Sequence, residues 1–223
     1  MVSQLHKQND SSFADFYSNS CWFVDFALLD INIADLTGSV IGKPYLTTVI
    51  DIYSQCYMGF CLSFKSPNNK VVTQALRHAI LPKRYNSEYN LSQEWRTYGI
   101  PVGLCIDISN FTNSYSLQEK ISQLGIMLHS HQTISRFKSN SSTEKLCLTI
   151  NKYLSSNLQA SGGLSGKDNF LTLELIEKIL VRYIVDNFNQ QRSIYLSVAT
   201  RQQMWEAGLI SPPQIIQEYE LDI

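Results

Sequence analysis

Three segments near the start constrain what this chain can fold into more than anything else in it. FVDFALLDINIA (23–34), YLTTVIDIYS (45–54) and YMGFCLSF (57–64) are dense in β-branched and aromatic residues. The breaks between them, DLTGSVIGKP and QC, hold turn formers and are too short for a crossover helix. Three consecutive strands in an antiparallel meander follow from that. VVTQALRHAILP (71–82) then changes period: Val72, Ala75, Leu76, Ala79 and Ile80 fall at helical spacing, and Pro82 ends the run.

After a polar surface loop, KRYNSEYNLSQEWRTYGIP, the chain alternates. VGLCID (102–107) reads as a short buried strand, SLQEKISQLG (116–125) as a helix closed by Gly125, and IMLHS (126–130) as another strand. HQTISRFKSNSS (131–142) is loop chemistry. Thr143 to about Leu158 is helical, with Leu146, Ile150, Tyr153 and Leu154 on one face. Three antiparallel strands followed by alternating helices and strands specify an α/β fold, a mixed sheet with helices on both faces. That order is shared by the RNase H-like fold, one of several candidates on pattern alone.

Residues 1–20 are polar and read as a flexible leader, 21–158 as the core, and the Gly/Ser/Asn-rich 159–170 as a linker. Residues 171–223 read as a helical extension: a long amphipathic helix over 171–191 with Thr172 as N-cap, then RQQMWEAGLI.

Composition narrows the function classes. With 223 residues, 44% of them apolar, the chain can bury one sizeable core. Its 18 basic and 19 acidic residues leave a net charge of −1, without the basic excess of a protein that grips DNA unaided. Any DNA grip is therefore local or supplied by other parts. The polar start MVSQLHKQND and the absence of a long apolar run predict a cytoplasmic protein without membrane association. Five cysteines (21, 56, 61, 105, 147), odd in number and without C-x-x-C, read as buried reduced thiols. His129 and His131 form H-x-H, but no second pair of ligands sits at zinc spacing.

Three carboxylates occupy places that a core does not favour. Asp25 interrupts the first strand between Val24 and Phe26, Asp107 ends the strand Leu104-Cys105-Ile106, and Glu144 sits in the first turn of the helix after the loop. A charge there is costly unless paired or bound to metal. Such hard oxygen donors suit two Mg²⁺ or Mn²⁺ ions, held about 3.5–4 Å apart in phosphoryl-transfer sites. Asp30, Asp35 and Asp51 also lie in or beside these strands, and taken singly each carboxylate reads as a surface or hydrogen-bonded Asp.

Several ordered motifs carry a resemblance. VDFALLDINIADLTGSVIGKPYLTTVIDIYSQCYMGFCLSF, ALRHAILPK (75–83), GIPVGLCIDISNF, TEKLCLTIN (143–151) and TRQQMWEAGLISPP with ELDI resemble, in order, segments of the TnsB-type DDE transposases, relatives of Mu transposase and the retroviral integrases. The resemblance covers about residues 22–223. It implies an RNase H-like catalytic core and a polynucleotidyl transferase that cuts and joins DNA in transposition and integration. By position, Asp25, Asp107 and Glu144 take the metal-ligand roles, and the interval of 36 residues (108–143) is near that of many DDE recombinases. Asp51 matches a position that is not catalytic.

On the helix of Glu144, Lys145 and Lys152 are candidates to touch DNA, as are Arg136 and Lys138 in the preceding loop; the competing reading of each is a solvated basic side chain. The implied partners are transposon ends and target DNA, further copies of the chain on DNA, a transposition ATPase and other transposase subunits.

The chain also departs from the pattern. The family's His-Thr after the first Asp is Phe26-Ala27, its Asn-Gly after the second is Ile108-Ser109, its Arg after Tyr-Ser is Gln55, and its Lys-Gly before the Glu is lost within SNSST. Polar partners of this kind hold metal ligands in place. The family's DNA-binding domains and following barrel have no counterpart here, so the chain reads as truncated, with its last helices leading toward a missing C-terminal domain. Two functions are carried forward: a competent transposase core, and a catalytically silent fragment acting as an interaction or regulatory module. A generic RNase H-like nuclease explains the carboxylates but not ALRHAILPK or WEAGLISPP.

Overall fold

The computed structural model describes residues 17–106, 114–130, 142–160, 171–192, 198–218 and 221. Strands β1 (Cys21–Leu28), β4 (Tyr45–Asp51) and β5 (Tyr57–Ser63) form the expected antiparallel meander. β6 (Gly103–Ile106) and β7 (Met127–Ser130) add to it in parallel, giving the order β5-β4-β1-β6-β7. The first segment is not one strand to residue 34. β1 stops at Leu28, and β2 (Ile33–Ala34) pairs with β3 (Val40–Gly42) in a separate two-stranded sheet. Between β2 and β3, Asp35 Oδ1 accepts from the backbone N–H groups of Thr37 and Ser39, and Gly38 takes a positive φ, so the chain folds back on itself there.

Helices cover both faces. Trp22, Val24, Val49, Met58, Leu104 and Ile106 point to one side, against α1 (Asn69–Ile80) and α2 (Ser114–Gln123). The helical stripe Val72, Ala75, Leu76, Ala79, Ile80 is wholly buried there, and each large aliphatic side chain contributes about 1.5–3 kcal/mol. Asn68 caps α1, and Leu81 turns extended ahead of Pro82. Gly125, at φ +73°, closes α2: its N–H reaches the Ser122 carbonyl, and the Ile126 N–H reaches that of Ile121.

The opposite side of the sheet carries Leu46, Ile50, Tyr57 and Phe60. They pack on α3 (Ser142–Ala160) and α4 (Leu173–Arg182). On α3 the buried stripe is Leu146, Cys147 and Ile150; Tyr153 is 49% exposed, contrary to the expected face, and the side chain of Leu154 lies outside the described residues. Thr172 caps α4 as expected, but the helix widens into a π-helical turn over Tyr183–Phe188 rather than running straight to 191. Asn189, just beyond it, is buried and exchanges hydrogen bonds with the Tyr57 backbone.

The segment after 171 is not an extension leading away. Ile176, Leu180, Val181 and Ile184 complete one face, while Trp205 of α5 (Arg201–Ala207), Ile216 and Leu221 complete the other. Residues 17–20 likewise belong to the folded unit, not to a loose leader. Ser18, Asn19 and Ser20 are buried, and Asn19 Oδ1 accepts from the indole N–H of both Trp22 and Trp205. Residues 1–16 and 161–170 lie outside the described residues. No described helix is long and apolar enough to cross a membrane.

β5 and α1 approach closely at Gly59. A Cβ there would lie 2.5 Å from Ala79 N and 2.7 Å from Ala79 Cα. Both obstacles are helix backbone, so Gly59→Ala is expected to destabilise the fold by about 1–3 kcal/mol in a urea titration. An unchanged midpoint would mean that the contact is looser than described.

Candidate functional site

Asp25 lies on the α3 side of β1, two residues beyond Phe23 in the alternation of the strand. Its Oδ1 accepts from the N–H of Phe26 at 2.9 Å, and its Oδ2 accepts from the N–H of Thr143 at 3.3 Å. That second bond spans 118 residues and seats the start of α3 on the strand. A carboxylate at the first turn of a 19-residue helix also meets the positive end of its dipole. Across the ladder from Asp25 stands Thr48 on β4, whose hydroxyl lies 2.6 Å from that of Thr143.

Glu144 follows Thr143 directly and is exposed in that first turn. Burial, then the Asp25 charge, then the Glu144 charge push the Cys147 thiol up to about 12. Asp25 and Glu144 are both hard oxygen donors, the chemistry that fits a divalent cation. β6 runs parallel beside β1 with Cys105 opposite Phe23, and the chain reaches Asp107 one residue after β6 ends. Asp107 itself, with Arg136, Lys138 and His131, lies outside the described residues. Among the described residues no group of three or more His, Cys, Asp or Glu gathers for a metal. Lys145 and Lys152 are both exposed on α3.

The other strand carboxylates go elsewhere. Asp30 pairs with Lys43 on the surface, and Asp35 holds its turn. Asp51, fully buried, accepts from Asn19 N–H at 2.8 Å, Ser54 N–H at 2.8 Å and the Ser54 hydroxyl at 2.6 Å. Burial pushes its carboxyl up to about 6, and the three donors pull the other way. The thiols follow expectation in placement: Cys21, Cys56, Cys105 and Cys147 are buried and Cys61 is partly so.

ALRHAILPK also acquires physical roles. Arg77 donates to the carbonyls of Leu221 and Glu218, clamping the end of the chain. His78 sits among Phe60, Tyr85 and Trp95; burial, then the Lys83 charge, holds it down to about 3, so its imidazole is neutral. Lys83 donates to the carbonyls of Ala79, Leu81 and Thr97, tying the end of α1 to the loop before β6. These residues build the scaffold behind the sheet.

Residues 23–160, well over half of the chain, match the TnsB C-terminal domain family. The chain belongs to that family. A TnsB-family relative, the transposase for transposon Tn552 of Staphylococcus aureus, is 25% identical over 209 residues, spanning 91% of this chain and 41% of that protein. The Tn7 transposition protein TnsB of Escherichia coli is 27% identical over 114 residues, 48% of this chain and 16% of that one. The chain therefore spans less than half the length of the curated relatives it matches.

Among solved structures, the simian T-cell lymphotropic virus intasome in complex with the PP2A regulatory subunit B56 gamma aligns with TM-score 0.53 at 15% identity, over 88% of this chain and 58% of that one. The HTLV-2 integrase catalytic core domain in complex with magnesium aligns with TM-score 0.51 at 15% identity, over 86% of this chain and 98% of that one. The TnsB-family chain thus has the RNase H-like fold of integrase cores, as the resemblance implied.

Proposed function

We propose that this TnsB-family core carries out metal-dependent DNA strand cleavage and strand transfer, with Asp25, Asp107 and Glu144 as ligands of two Mg²⁺ or Mn²⁺ ions. The observation that carries the reading is the seating of the Glu144 helix on Asp25 through the Thr143 N–H. Thr143, 118 residues from Asp25, immediately precedes Glu144, so that bond sets the start of the Glu144 helix beside the Asp25 strand. Ions bound there would activate an attacking water or DNA 3′-hydroxyl and stabilise the leaving oxygen of an in-line displacement. The chain's own contribution would be to hold Asp25 on a strand, to present Glu144 from a helix start, and to supply Asp107 from the segment that follows β6 in sequence.

Exposed Lys145 and Lys152 on the same helix would meet DNA phosphates, with Arg136 and Lys138 contributing from the loop before it. A net charge of −1 favours local contacts of this kind over a broad basic surface, so transposon ends and target would be held together with further domains, further copies of the chain, or a transposition ATPase and other transposase subunits. A cytoplasmic location belongs to the same reading.

A second reading, a silent core used for protein interaction, is favoured by one observation. Phe26 and Ala27 follow Asp25 where the related pattern has His-Thr, so the ligand lacks polar side chains beside it on its own strand. Calorimetric titration of Mn²⁺ into the wild type and Asp107→Ala, each with a DNA-end oligonucleotide, separates the two. Saturable binding in the wild type, lost in the variant, is the expected result. No binding by either would leave the silent core as the reading.

A further inference from the structure

We infer that Thr48 and Thr143 are positioning residues, a hydroxyl pair that fixes the Glu144 helix against the Asp25 strand and so sets the spacing of the two ligands. The inference rests on the reading of Asp25 and Glu144 as metal ligands. Both threonines are fully buried, at 0% exposure, and their hydroxyls are 2.6 Å apart although they stand 95 residues apart in the chain. Thr48 is the register partner of Asp25, and Thr143 precedes Glu144 while donating its backbone N–H to Asp25. A single residue, Thr143, therefore touches the Asp25 carboxylate with its main chain and the neighbouring strand with its side chain. Those two bonds fix both the distance of the helix start from β1 and its sideways position over β1 and β4.

The location of this pair is informative. Leu146, Cys147 and Ile150 also hold α3 to the sheet, through apolar contacts that tolerate small slides because dispersion and burial are not directional. A hydrogen bond between buried hydroxyls is directional, and breaking one half leaves a polar group without its partner. It sits at the one turn of α3 where a displacement would move Glu144 relative to Asp25.

The test compares Thr48→Val, which keeps the β-branched shape and removes the hydroxyl, with Thr48→Ser, which keeps the hydroxyl. Mn²⁺ is titrated in the presence of a DNA-end oligonucleotide at a temperature where every variant is fully folded, and amide exchange is followed over Thr143–Cys147. Thr48→Val is expected to raise the half-saturating Mn²⁺ concentration about tenfold, as loss of a partner behind a ligand does, and to quicken exchange in that turn. Thr48→Ser is expected within about twofold of the wild type in both, because the same oxygen remains. Thr48→Val that binds Mn²⁺ as tightly as the wild type, or Thr48→Ser as impaired as Thr48→Val, overturns the inference. Asp25→Asn serves as the control: if it titrates like the wild type, the ligand reading has failed, and unchanged exchange in Thr48→Val overturns the threonine lock separately.

Discussion

Asp25→Ala and Glu144→Ala should each lower Mn²⁺-dependent cleavage of a DNA end by at least about a hundredfold, because partners merely supporting a ligand are already worth 10–100-fold. Neither change should unfold the protein. Glu144 is exposed, and Asp25, half-buried on its strand, accepts from the backbone N–H groups of Phe26 and Thr143, which water can also satisfy. Loss of Asp25 removes one bond from the start of α3, worth about 0.5–1.5 kcal/mol, while the Leu146, Cys147 and Ile150 contacts persist. Cleavage is read by gel and folding by the melting temperature of the same samples. Full activity in either variant would remove that residue from the site, and loss of the fold would make Asp25 a structural carboxylate.

Asp51→Ala should do the reverse, costing at least about 3 kcal/mol of stability, because it leaves three buried donors without their acceptor at roughly 1–3 kcal/mol each. At this chain length each kcal/mol lowers the melting temperature by roughly 2–4 °C, so the fall should be roughly 6 °C or more. The variant strands the N–H groups of Asn19 and Ser54 and the Ser54 hydroxyl, all within buried residues. It also loosens Asn19, which joins Asp51 to Trp22, Trp205 and the Tyr98 carbonyl. The pH dependence adds a sign. With its folded-state carboxyl raised from 3.8 to about 6, Asp51 binds a proton more tightly in the folded than in the unfolded chain. Its contribution is therefore greatest below 3.8 and declines as pH rises to about 6, so the deficit of Asp51→Asn should shrink across that window. A deficit that grows with pH would mean that the three donors outweigh burial.

These two aspartates show how far the chain could be read before its fold was known. Both sit in β-rich segments, Asp25 flanked by Val24 and Phe26, Asp51 by Ile50 and Ile52. Local composition cannot separate them. Resemblance to a family assigned Asp51 a place away from the chemistry, and the structure supplies the cause, a closed set of donors at the end of β4. The helices announced themselves by period, as in Val72, Ala75, Leu76, Ala79 and Ile80, because one face of each must be buried. The break of the first strand at Leu28 was not legible, since LLDINIA is as β-rich as what precedes it and only the pairing of β2 with β3 separates them. The burial of Ser18–Ser20 was hidden for the opposite reason: polar residues go inside only where distant partners, here Trp205 and Asp51, meet them.

The sequence by itself determined the order of the elements and the antiparallel-then-alternating pattern, because periodicity and turn chemistry are local properties; it took the resemblance to a family to single out Asp25, Asp107 and Glu144 among the acidic residues. Which side of the sheet each helix covers, that the segment after 171 closes both faces, and that Thr143 meets Asp25 and Thr48 were decided only by the tertiary structure. Each of those is a contact between residues far apart in the chain, and a contact energy has no signature in either partner alone.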